Sequence, residues 1–460
     1  MKISFKASLP VSVAEAFAWH EKPGAFDRLN PPWEKVKVLS AIGGISDGAK
    51  VKLKVPVLGP LTQTWQMRHE GFIRGLRFCD VMERGPFSFY RHEHQFKAID
   101  EINSELHDQL EFKLPLDPVG TLLGGWFVHR KLTPVFRYRH SVLIEDLRRH
   151  KEFSQRPRKK IAISGATGLV GSNLASFLTS GGHQVFRLVR KKTNLPDEIY
   201  WDPESNQIER EKFEGLDAVV HLAGENIAAR RWSAAQKKRL LESRVKGTKL
   251  ISQALASLSN PPKVFISASA VGFYGSRQEQ ELAENSGPGT GFLAEICQAW
   301  EAATESAKAR GIRVVNPRIG VVLSPAGGAL QKMLLPFKLG LGGTLGSGKQ
   351  WISWIGLHDL IYLLHQCLMR EDISGPINAV APEPVTNAQF TKALGSVLLR
   401  PTIFPVPAWL LKLLLGEMAD ALLLASTKAL PEAATTSGFK FSTPDISSCL
   451  RLMLGKDQLH

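Results

Sequence analysis

The stretch Lys160-Ile-Ala-Ile-Ser-Gly-Ala-Thr-Gly-Leu-Val-Gly171 decides the fold of the longer part of this chain. Its apolar beginning predicts a short strand, and Gly165, Gly168 and Gly171 then follow at the spacing G-x-x-G-x-x-G. In such a turn the first glycine permits a sharp bend, the second lets the backbone approach a pyrophosphate, and the third lets the next helix pack against the strand. The helix N-terminus adds N–H groups and the positive end of the helix dipole. The motif therefore predicts a dinucleotide-binding turn.

The residues after this turn support the same interpretation. Gly181-Gly182 is a typical helix stop, and residues 183–190 (HQVFRLVR) predict a second strand. The strand–helix–strand unit then has about 30 residues, which is the size that a dinucleotide site requires. The alternative is a structural glycine turn in an ordinary α/β domain. The apolar residues that fall on one face of the predicted helix are Leu169, Val170, Leu174, Phe177 and Leu178.

Length and composition indicate a globular protein of several domains. A chain of 460 residues is too long for one ordinary domain, so two or three are expected. Hydrophobic residues make up 43% of the chain and charged residues 22%, as in typical globular proteins. Part of the net charge of +15 lies in residues 148–160 (RRHKEFSQRPRKK). We interpret this run as a solvated linker, although clustered cations also attract anionic membranes or nucleic acid. No nucleic-acid-binding motif is present.

Cysteine usage and apolar runs favour a cytoplasmic protein. No Cys/His spacing predicts a zinc site, and separated cysteines favour a reducing compartment. The N-terminus lacks the apolar core of a signal peptide. The most apolar run, residues 409–425, is interrupted by three charged residues, so we expect a core or interfacial helix there and no transmembrane segment. The four cysteines are Cys79, Cys297, Cys367 and Cys449.

Residues 1–150 follow a different pattern from the rest of the chain. A strand and a short helix, with Ser12 as a candidate N-cap, precede several short stretches of alternating polarity. Alternation of this kind predicts an antiparallel sheet. Residues 119–149 predict a long closing helix, in which Pro134 favours a kink. The alternating stretches are residues 50–57, 61–69, 76–83, 87–98 and 103–114.

This order of elements resembles the helix-grip fold of the START/polyketide-cyclase superfamily. The segments Leu29-Asn-Pro-Pro-Trp33 and Pro86-Phe-Ser-Phe-Tyr-Arg-His-Glu-His94 resemble the version that precedes certain Rossmann proteins. The resemblance implies a cavity that encloses an apolar ligand.

His92 and His94 are candidate metal ligands or acid–base groups. Because they alternate along a predicted strand, their side chains point to one face of the sheet and that of Glu93 to the other. A metal site needs at least three protein ligands, and the sequence indicates no third one. We therefore expect a structural role for both histidines and no metal.

After residue 160 the pattern changes to alternating strands and helices, which predicts a parallel sheet. Ser233 is a candidate N-cap of one of these helices. The further predicted strands are residues 216–223, 262–269 and 312–323, and the further predicted helices are residues 233–258, 293–310 and 357–369.

Arg190 bears on the choice of dinucleotide. The second strand ends in Arg190-Lys191-Lys192, at the position where a site for NAD carries a carboxylate for the ribose 2′-hydroxyl. A 2′-phosphate requires cations instead. The sequence therefore favours NADP, and the alternative is that these cations are solvated surface charges.

Several motifs in the second part of the chain resemble an extended-type short-chain dehydrogenase/reductase family, described as nucleoside-diphosphate-sugar epimerase-like. The resemblance implies a doubly wound α/β fold, an NADP-binding Rossmann sheet, and a small C-terminal subdomain. The motifs are GATGLVG, HLAGENI, RRW, SRVKGTKL, SASAVGFYG, FLAEICQAWE, PRIGVVLS, LLPFKLGLGGTLGSGKQWISWI and NAVAPEPVTN.

The resemblance assigns cofactor contacts to particular residues. Arg190 would bind the 2′-phosphate. Arg244 stands where extended members carry an Asn, and it would reach the cofactor or an anionic substrate, or lie solvated on a helix. The residues that would border the remainder of the cofactor are Gly165, Thr167, Gly168, Leu169, Val170, Gly171, Leu222, Ala223 and Gly224.

The expected catalytic residues are incomplete. The superfamily polarises a carbonyl with a Ser or Thr hydroxyl, and a Tyr whose pKa is lowered by a Lys four residues later transfers the proton. Ser269 fits the hydroxyl role, with Ser267 as a substitute. The Tyr and Lys positions are Phe292 and Ile296, which cannot transfer protons. Tyr274 is a candidate substitute donor, although packing is the favoured role for it.

Other candidate substrate-side features surround these positions. Arg318 lies on a predicted strand, and the glycine-rich residues 340–348 (GLGGTLGSG) are a candidate substrate loop without the spacing of a Walker motif. Trp351 and Trp354 suit core packing better than a pocket. Gly356 replaces a His found in relatives, and Asp359 fits a helix N-cap.

The sequence leaves three functions open. The best interpretation is an NADP-dependent oxidoreductase or epimerase with an unknown small-molecule substrate. The alternatives are a non-catalytic NADP-binding sensor or scaffold, and an apolar-ligand carrier that acts through the front domain. The predicted domains are residues 1–150 (helix-grip), 158–385 (Rossmann) and 386–460 (mostly helical subdomain).

Overall fold

The chain forms two compact units. A computed structural model describes residues 1–58 and 61–456. Among the described residues, the first unit is built on Met1–Arg156, with Thr179–Gly182 and residues 454–456, and the second on Pro157–Leu178 and His183–Met453. Among the helices in the described parts of the chain, none has both the length and the apolarity to cross a membrane.

The first unit contains a seven-stranded antiparallel sheet with the strand order β1-β7-β6-β5-β4-β3-β2. Successive strands from β2 to β7 pair as hairpins, and the N-terminal strand β1 pairs with β7. The predicted α+β pattern is therefore observed. The strands are β1 (Lys2–Leu9), β2 (Lys37–Ile42), β3 (Lys50–Leu58), β4 (Leu61–Ile73), β5 (Arg77–Arg84), β6 (Phe89–Ala98) and β7 (Ser104–Lys113), and the helices are α1 (Val13–Glu21), α2 (Ala25–Leu29) and α3 (Val119–Glu152).

Long helix α3 supplies one side of the core of this unit. Leu143 and Leu147 of α3 belong to the same buried cluster as Phe17 of α1 and Phe96 of β6. The helix continues through Pro134, since the helical residues run without interruption from 119 to 152. Ser12 caps α1, because its side chain accepts a hydrogen bond from the Glu15 N–H, as predicted.

The second unit contains a nine-stranded, mostly parallel sheet. Its central order, β10-β9-β8-β12-β13-β16-β20, is that of a Rossmann fold, so the predicted doubly wound parallel sheet is confirmed. The strand order reverses between β8 and β12, where the glycine turn lies. The strands of the large sheet are β8 (Lys160–Ser164), β9 (Gln184–Val189), β10 (Glu198–Asp202), β11 (Gln207–Ile208), β12 (Ala218–His221), β13 (Val264–Ser267), β14 (Ser269–Ala270), β16 (Arg313–Ile319) and β20 (Gly375–Ala379).

Helices and short two-stranded pairs complete the second unit. Ser233 caps α5 by accepting a hydrogen bond from the Gln236 N–H, as predicted. The short strands are β15 (Glu281–Leu282), β17 (Val321–Leu323), β18 (Trp351–Ile352), β19 (Trp354–Gly356), β21 (Val385–Thr386) and β22 (Lys428–Ala429). The helices are α4 (Leu169–Ser180), α5 (Ala234–Ala256), α6 (Phe292–Ala302), α7 (Glu305–Ala309), α8 (Gly328–Lys338), α9 (Leu357–Met369), α10 (Asn387–Leu398), α11 (Ala408–Leu415), α12 (Glu432–Thr436) and α13 (Ile446–Leu454).

Three predicted elements are divided in the structure. The helix expected at residues 293–310 is two helices, α6 and α7. The strand expected at residues 312–323 is β16 and β17, which belong to different sheets. The break falls at Gly320, where a Cβ would lie 2.6 Å from the Ser353 carbonyl oxygen. The single helix expected at residues 409–425 is α11 followed by a π-helical turn, Ala419–Leu424.

Candidate cofactor site

The glycine turn between β8 and α4 forms an open cradle. Gly165 has a φ of +71°, and a Cβ on it would lie 3.0 Å from the Ala223 nitrogen. A Cβ on Gly171 would lie 2.2 Å from the Gly165 carbonyl oxygen, so neither position accepts a side chain. Thr167 and Gly168 are exposed, and a Cβ on Gly168 would meet only that same oxygen, at 3.2 Å. The turn therefore leaves its outer face free for a phosphate at the N-terminus of α4.

A buried Ser–His pair supports this cradle from below. Ser164 ends β8 and His221 ends β12, and the two residues lie side by side in the parallel sheet. The Ser164 hydroxyl accepts the N–H groups of Leu222 and Ala223, at 3.2 and 3.3 Å, and its own proton goes to His221 Nδ1 at 2.5 Å. Burial, and then the positive charge of Arg190, lower the pKa of His221 to about 3. The neutral imidazole thus fixes the backbone at residues 222–223, and the sequence motif gave no sign of this pair.

Arg190 directly follows β9, on the same edge of the sheet as the cradle. Its guanidinium lies over the Trp201 ring, 4.7 Å from the ring centroid, and Nη1 lies 3.3 Å from Asp202 Oδ1. About half of the side chain remains exposed. Trp201 and Asp202 both come from the end of β10, so the neighbouring strand holds the cation in place.

Arg244 lies on α5 beside the end of β12. Its guanidinium donates to the carbonyl oxygens of Leu240 and Glu225, both at 3.0 Å, and lies over the Trp300 ring. A Cβ on Gly224 would meet the Arg244 side chain at 3.6 Å. The structure therefore places Arg244 against the predicted cofactor-bordering segment 222–224, and not in solvent on the helix surface.

Ser269 and Tyr274 belong to a buried polar network centred on Arg318. The Arg318 guanidinium donates two hydrogen bonds to Glu301, at 2.9 and 3.0 Å, and one to the Tyr274 hydroxyl at 3.0 Å. The Tyr274 hydroxyl lies 2.7 Å from Asn378 Oδ1, and the Ser269 hydroxyl donates to Glu301 at 2.7 Å. Burial raises the pKa of Tyr274. Both hydroxyl protons are therefore engaged inside the protein, as the packing role favoured for Tyr274 requires.

Helix α6 begins at Phe292 and carries both positions that the resemblance assigns to the proton-transfer pair. Phe292 packs edge to face on Trp232, and Lys237 of α5 lies 4.9 Å above the Phe292 ring. Ile296 is buried one turn later. Cys297 beside it is also buried, which raises the pKa of its thiol to about 11. None of these three side chains is a proton donor or acceptor suited to neutral pH.

Other predicted substrate-side features make close packing contacts. In the glycine-rich residues 340–348, a Cβ on Gly343 would lie 1.9 Å from the Phe404 carbonyl oxygen, so this segment is fitted to the chain at residues 404–406. Trp354 is fully buried. The expectation that Asp359 caps α9 is wrong. Gly356 occupies the N-cap, and the Asp359 carboxylate accepts hydrogen bonds from Ser442 and Thr443.

In the first unit, His92 and His94 point to one face of the sheet, as predicted. The expectation that no third ligand lies near them is wrong, because Asp80 lies within reach of both imidazoles. Asp108 contacts them from the other side. Asp80 and Asp108 are separated from the histidines by up to 16 residues in sequence and meet them only through strand pairing.

A parallel sheet of this order, with a glycine cradle at the reversal of strand order, defines a nucleotide-binding protein of the Rossmann class. The sequence pattern of the NAD dependent epimerase/dehydratase family matches residues 161–379, and that of a domain of unknown function (DUF1731) matches residues 406–453. The chain is 43% identical over 290 residues to the epimerase family protein Mb2239 of Mycobacterium bovis, a match that covers 63% of this chain and 96% of that protein. The chain therefore belongs to the NAD dependent epimerase/dehydratase family.

Two solved structures are similar to the chain over different shares of its length. The nucleoside-diphosphate sugar epimerase from Corynebacterium glutamicum covers 99% of this chain and 91% of its own, with a TM-score of 0.83 and 33% identity. Human epimerase family protein SDR39U1 (isoform 2), solved with NADPH, covers 64% of this chain and 98% of its own, with a TM-score of 0.59 and 34% identity. The first similarity extends over both units, and the second over about the length of the family match with its C-terminal extension.

Proposed function

We propose that this protein is an NADP-dependent oxidoreductase or epimerase of the extended short-chain type, acting on a small molecule in the cytoplasm. The observation that carries the choice of NADP is Arg190, a half-exposed cation at the end of β9 beside an open phosphate cradle. The human relative solved with NADPH supports the same choice. Four free, buried cysteines support a reducing compartment.

The residues present fit the dinucleotide. The cradle of Gly165, Gly168 and Gly171 admits backbone contact with a pyrophosphate, because two of the glycines have no room for a Cβ and the third faces outward. Thr167, Leu169 and Val170 would border the pyrophosphate, and residues 222–224, backed by Arg244, would border the adjoining part of the cofactor. When bound, NADP supplies hydride transfer at its nicotinamide ring.

Asp202 makes the choice between the two dinucleotides testable. Its carboxylate, at the end of the neighbouring strand β10, is the partner of Arg190 and competes with a 2′-phosphate for the same guanidinium. We infer that Arg190, held by Trp201, turns to a 2′-phosphate, which offers more charge than Asp202 does. The two residues therefore act in opposite directions on the affinity for NADPH.

Binding measurements with matched variants test this assignment. The parent protein should bind NADPH more tightly than NADH. Arg190→Gln should weaken NADPH binding about tenfold, or ~1.4 kcal/mol, and change NADH binding little. Asp202→Asn should strengthen NADPH binding, because it removes the competing carboxylate. Arg187→Gln is the control, since Arg187 lies on the same strand but pairs with Asp197 and Glu198. Equal affinities of the parent for both dinucleotides would contradict the assignment to NADP.

A non-catalytic NADP-binding sensor is the second candidate function. Phe292 and Ile296 favour it, because they occupy the positions of the missing Tyr and Lys, and the hydroxyls of Ser269 and Tyr274 are engaged. Incubating the protein with nucleoside-diphosphate sugars, once loaded with NADP⁺ and once with NADPH, distinguishes the two candidates. Epimerised sugar from the NADP⁺ sample or reduced sugar from the NADPH sample, detected by NMR and lost with Arg190→Gln at limiting dinucleotide, supports the enzyme. Substrate-induced change in NADPH affinity without turnover supports the sensor.

We further propose that residues 1–150 are a helix-grip domain fused to a Rossmann domain at 158–385 and a helical subdomain at 386–460. The antiparallel sheet with one long helix supports the first assignment. An apolar ligand of this domain would suit an open groove of about 770 Å³ at the start of α3, where Val119, Leu122 and Trp126 are exposed. Mass spectrometry of an organic extract of the purified chain tests this. An apolar compound absent from extracts of Leu122→Glu protein is expected, and equal amounts in both extracts would contradict it.

A further inference from the structure

A cluster of imidazoles and carboxylates lies on the inner face of the first unit's sheet. Asp80 of β5 lies opposite His92 of β6, and His94 of β6 lies opposite Asp108 of β7. Since alternate residues of a strand share a face, all four side chains project to the same side. His140 of α3 reaches the cluster from above, through a bond of 2.6 Å from its Nε2 to Asp108 Oδ2. The strand pairing thus assembles groups that the sequence separates.

Three of these groups converge on one point. His92 Nδ1 lies 3.6 Å from Asp80 Oδ2, and His94 Nε2 lies 3.4 Å from the same oxygen. The three atoms all lie within 4.8 Å of one another. Ligands of one tetrahedral metal ion, each bound at about 2.1 Å, stand roughly 3.4 Å apart. The observed distances to Asp80 match that spacing, whereas good N–H···O hydrogen bonds measure about 2.7–3.2 Å.

The opposite atoms of the same rings are held by a second carboxylate. His92 Nε2 lies 3.1 Å and His94 Nδ1 lies 2.6 Å from Asp108 Oδ1. Imidazoles that bind metals typically donate their other N–H to a carboxylate, which fixes the tautomer and turns the free nitrogen towards the ion. Asp80 also has an outer contact, because its second oxygen, Oδ1, lies 2.9 Å from His69 Nδ1, within ion-pair distance. The cluster therefore has both the converging ligand atoms and the outer partners of a metal site.

Packing fixes the imidazole rings, and one side of the cluster is accessible. Phe78 stacks on His94 with ring centroids 4.3 Å apart, and Phe136 meets His92 edge to face at 5.2 Å. His92 has only 2% of its side chain exposed, but Asp80 has 24%. An ion bound by these groups is therefore reached from the Asp80 side, and any coordination position left open faces that way.

A network without metal is the competing explanation. Burial alone would lower the pKa of His94, but attraction to Asp108 and Asp80 raises it to about 9. A charged His94 between two carboxylates would be a satisfied ion network. It would not explain why His92 Nδ1 is aimed at Asp80 from beyond hydrogen-bond distance while His92 Nε2 is bonded to Asp108. One ion at the convergence point explains both contacts.

We propose that Asp80, His92 and His94 bind one divalent transition-metal ion, with Asp108 and His69 orienting the ligands. Two imidazoles and one carboxylate suit zinc, iron(II), cobalt(II) and similar ions. Three protein ligands leave at least one coordination position for water or a ligand oxygen, as in metal sites that bind substrates and unlike closed structural zinc sites. This inference does not depend on the proposed dinucleotide.

Titration of the metal-stripped full-length chain with Co²⁺ tests the proposal. We expect one equivalent to bind with a visible absorption spectrum of a four- or five-coordinate ion, and Zn²⁺ to displace it. His94→Gln and Asp80→Asn should abolish this spectrum, and Asp108→Asn should weaken binding by roughly 10–100-fold. His107→Gln is the matched control, because His107 adjoins Asp108 on β7 but contacts Ser4 on the opposite face. Loss in the control as well, or no stoichiometric binding by the parent, would overturn the proposal.

X-ray absorption of the Zn²⁺-loaded parent tests the same site without any variant, and so remains informative if a variant fails to fold. Two imidazole ligands among nitrogen and oxygen donors are expected. A sulfur ligand, or a spectrum without imidazole scattering, would place the ion elsewhere and refute the assignment. Near-UV circular dichroism of each metal-free variant shows whether a lost spectrum reflects a lost ligand or a lost fold.

Discussion

At the scale of single residues, the cofactor cradle depends on a histidine that never reaches the surface. His221 accepts the Ser164 proton at Nδ1, so its own proton resides on Nε2, which has no hydrogen-bond partner among the described residues. The imidazole packs edge to face with the Trp201 ring. Protonation of His221 Nδ1 would place its N–H against the O–H of Ser164, so that two hydrogen-bond donors would face each other. The segment 222–223 is then released from Ser164, because the hydroxyl must turn away.

This pair predicts a particular dependence of stability on pH. Unfolded His221 has a pKa near 6.5 and folded His221 one of about 3, because burial and the charge of Arg190 oppose protonation. Between those values the unfolded state binds more protons, so stability rises with pH and is lost as the pH falls below about 6.5. From about pH 7 to pH 5 the loss is about 2 kcal/mol. Urea unfolding at each pH measures this loss of stability. The transition to follow is the one that NADPH shifts, because it reports on the unit that contains His221.

Two variants distinguish this explanation from general acid sensitivity. His221→Asn removes the titrating group and should flatten the pH dependence of that transition by about 2 kcal/mol. Ser164→Ala keeps the buried imidazole and should lower stability at every pH with nearly the same slope. A His221→Asn protein whose slope equals that of the parent would show that His221 does not titrate on unfolding.

The residues whose surroundings could be predicted from the sequence are those in which the geometry is local. The three glycines follow from the turn, because the steric demand is set by residues a few positions away. The hydrogen-bond partners of Ser269 and Tyr274 could not be predicted, because Glu301, Arg318 and Asn378 arrive from distant elements. Asp80 could not be predicted as a third ligand of His92 and His94 for the same reason. Its neighbours His69 and His92 are adjacent only across strands.

At the scale of helices and strands, hydrophobic periodicity predicted most of the longer elements but not their breaks. It missed β10, β20, α8 and α10 of the second unit. Residues 357–369 form α9 as expected, and the five alternating stretches of the first unit are strands within a few residues of their predicted ends. Apolar residues occur on both sides of Gly320 in the predicted strand at residues 312–323, so the sequence pattern gave no reason to divide it there. The division at Gly320 depends on the close approach of the Ser353 carbonyl, which is a tertiary contact. Strand β2 and helix α2 were missed because both are short and surrounded by Gly and Pro.

At the scale of the whole molecule, each compact unit contains its own candidate site. The cradle and Arg190 lie in the second unit, and the Asp80–His92–His94 cluster lies in the first. The two sites differ in chemistry, since one is built from backbone N–H groups and a guanidinium and the other from imidazoles and carboxylates. A phosphate-bearing dinucleotide and a metal ion should therefore act on different stretches of the chain.

Hydrogen exchange measured by mass spectrometry tests this separation in one experiment. A ligand at 100 times its Kd stabilises its site by about 2.7 kcal/mol, enough to slow local opening about 100-fold. NADPH should slow exchange in peptides from β8, the glycine turn and β12, and Zn²⁺ should slow it in peptides from β5 and β6. Arg190→Gln should remove the first effect at limiting NADPH and leave the second, and His94→Gln should do the reverse. Zn²⁺ protection that persists in His94→Gln, or NADPH protection that avoids β8 and β12, would contradict the sites assigned to these two units, because each ligand must order the strands whose side chains and turns it contacts.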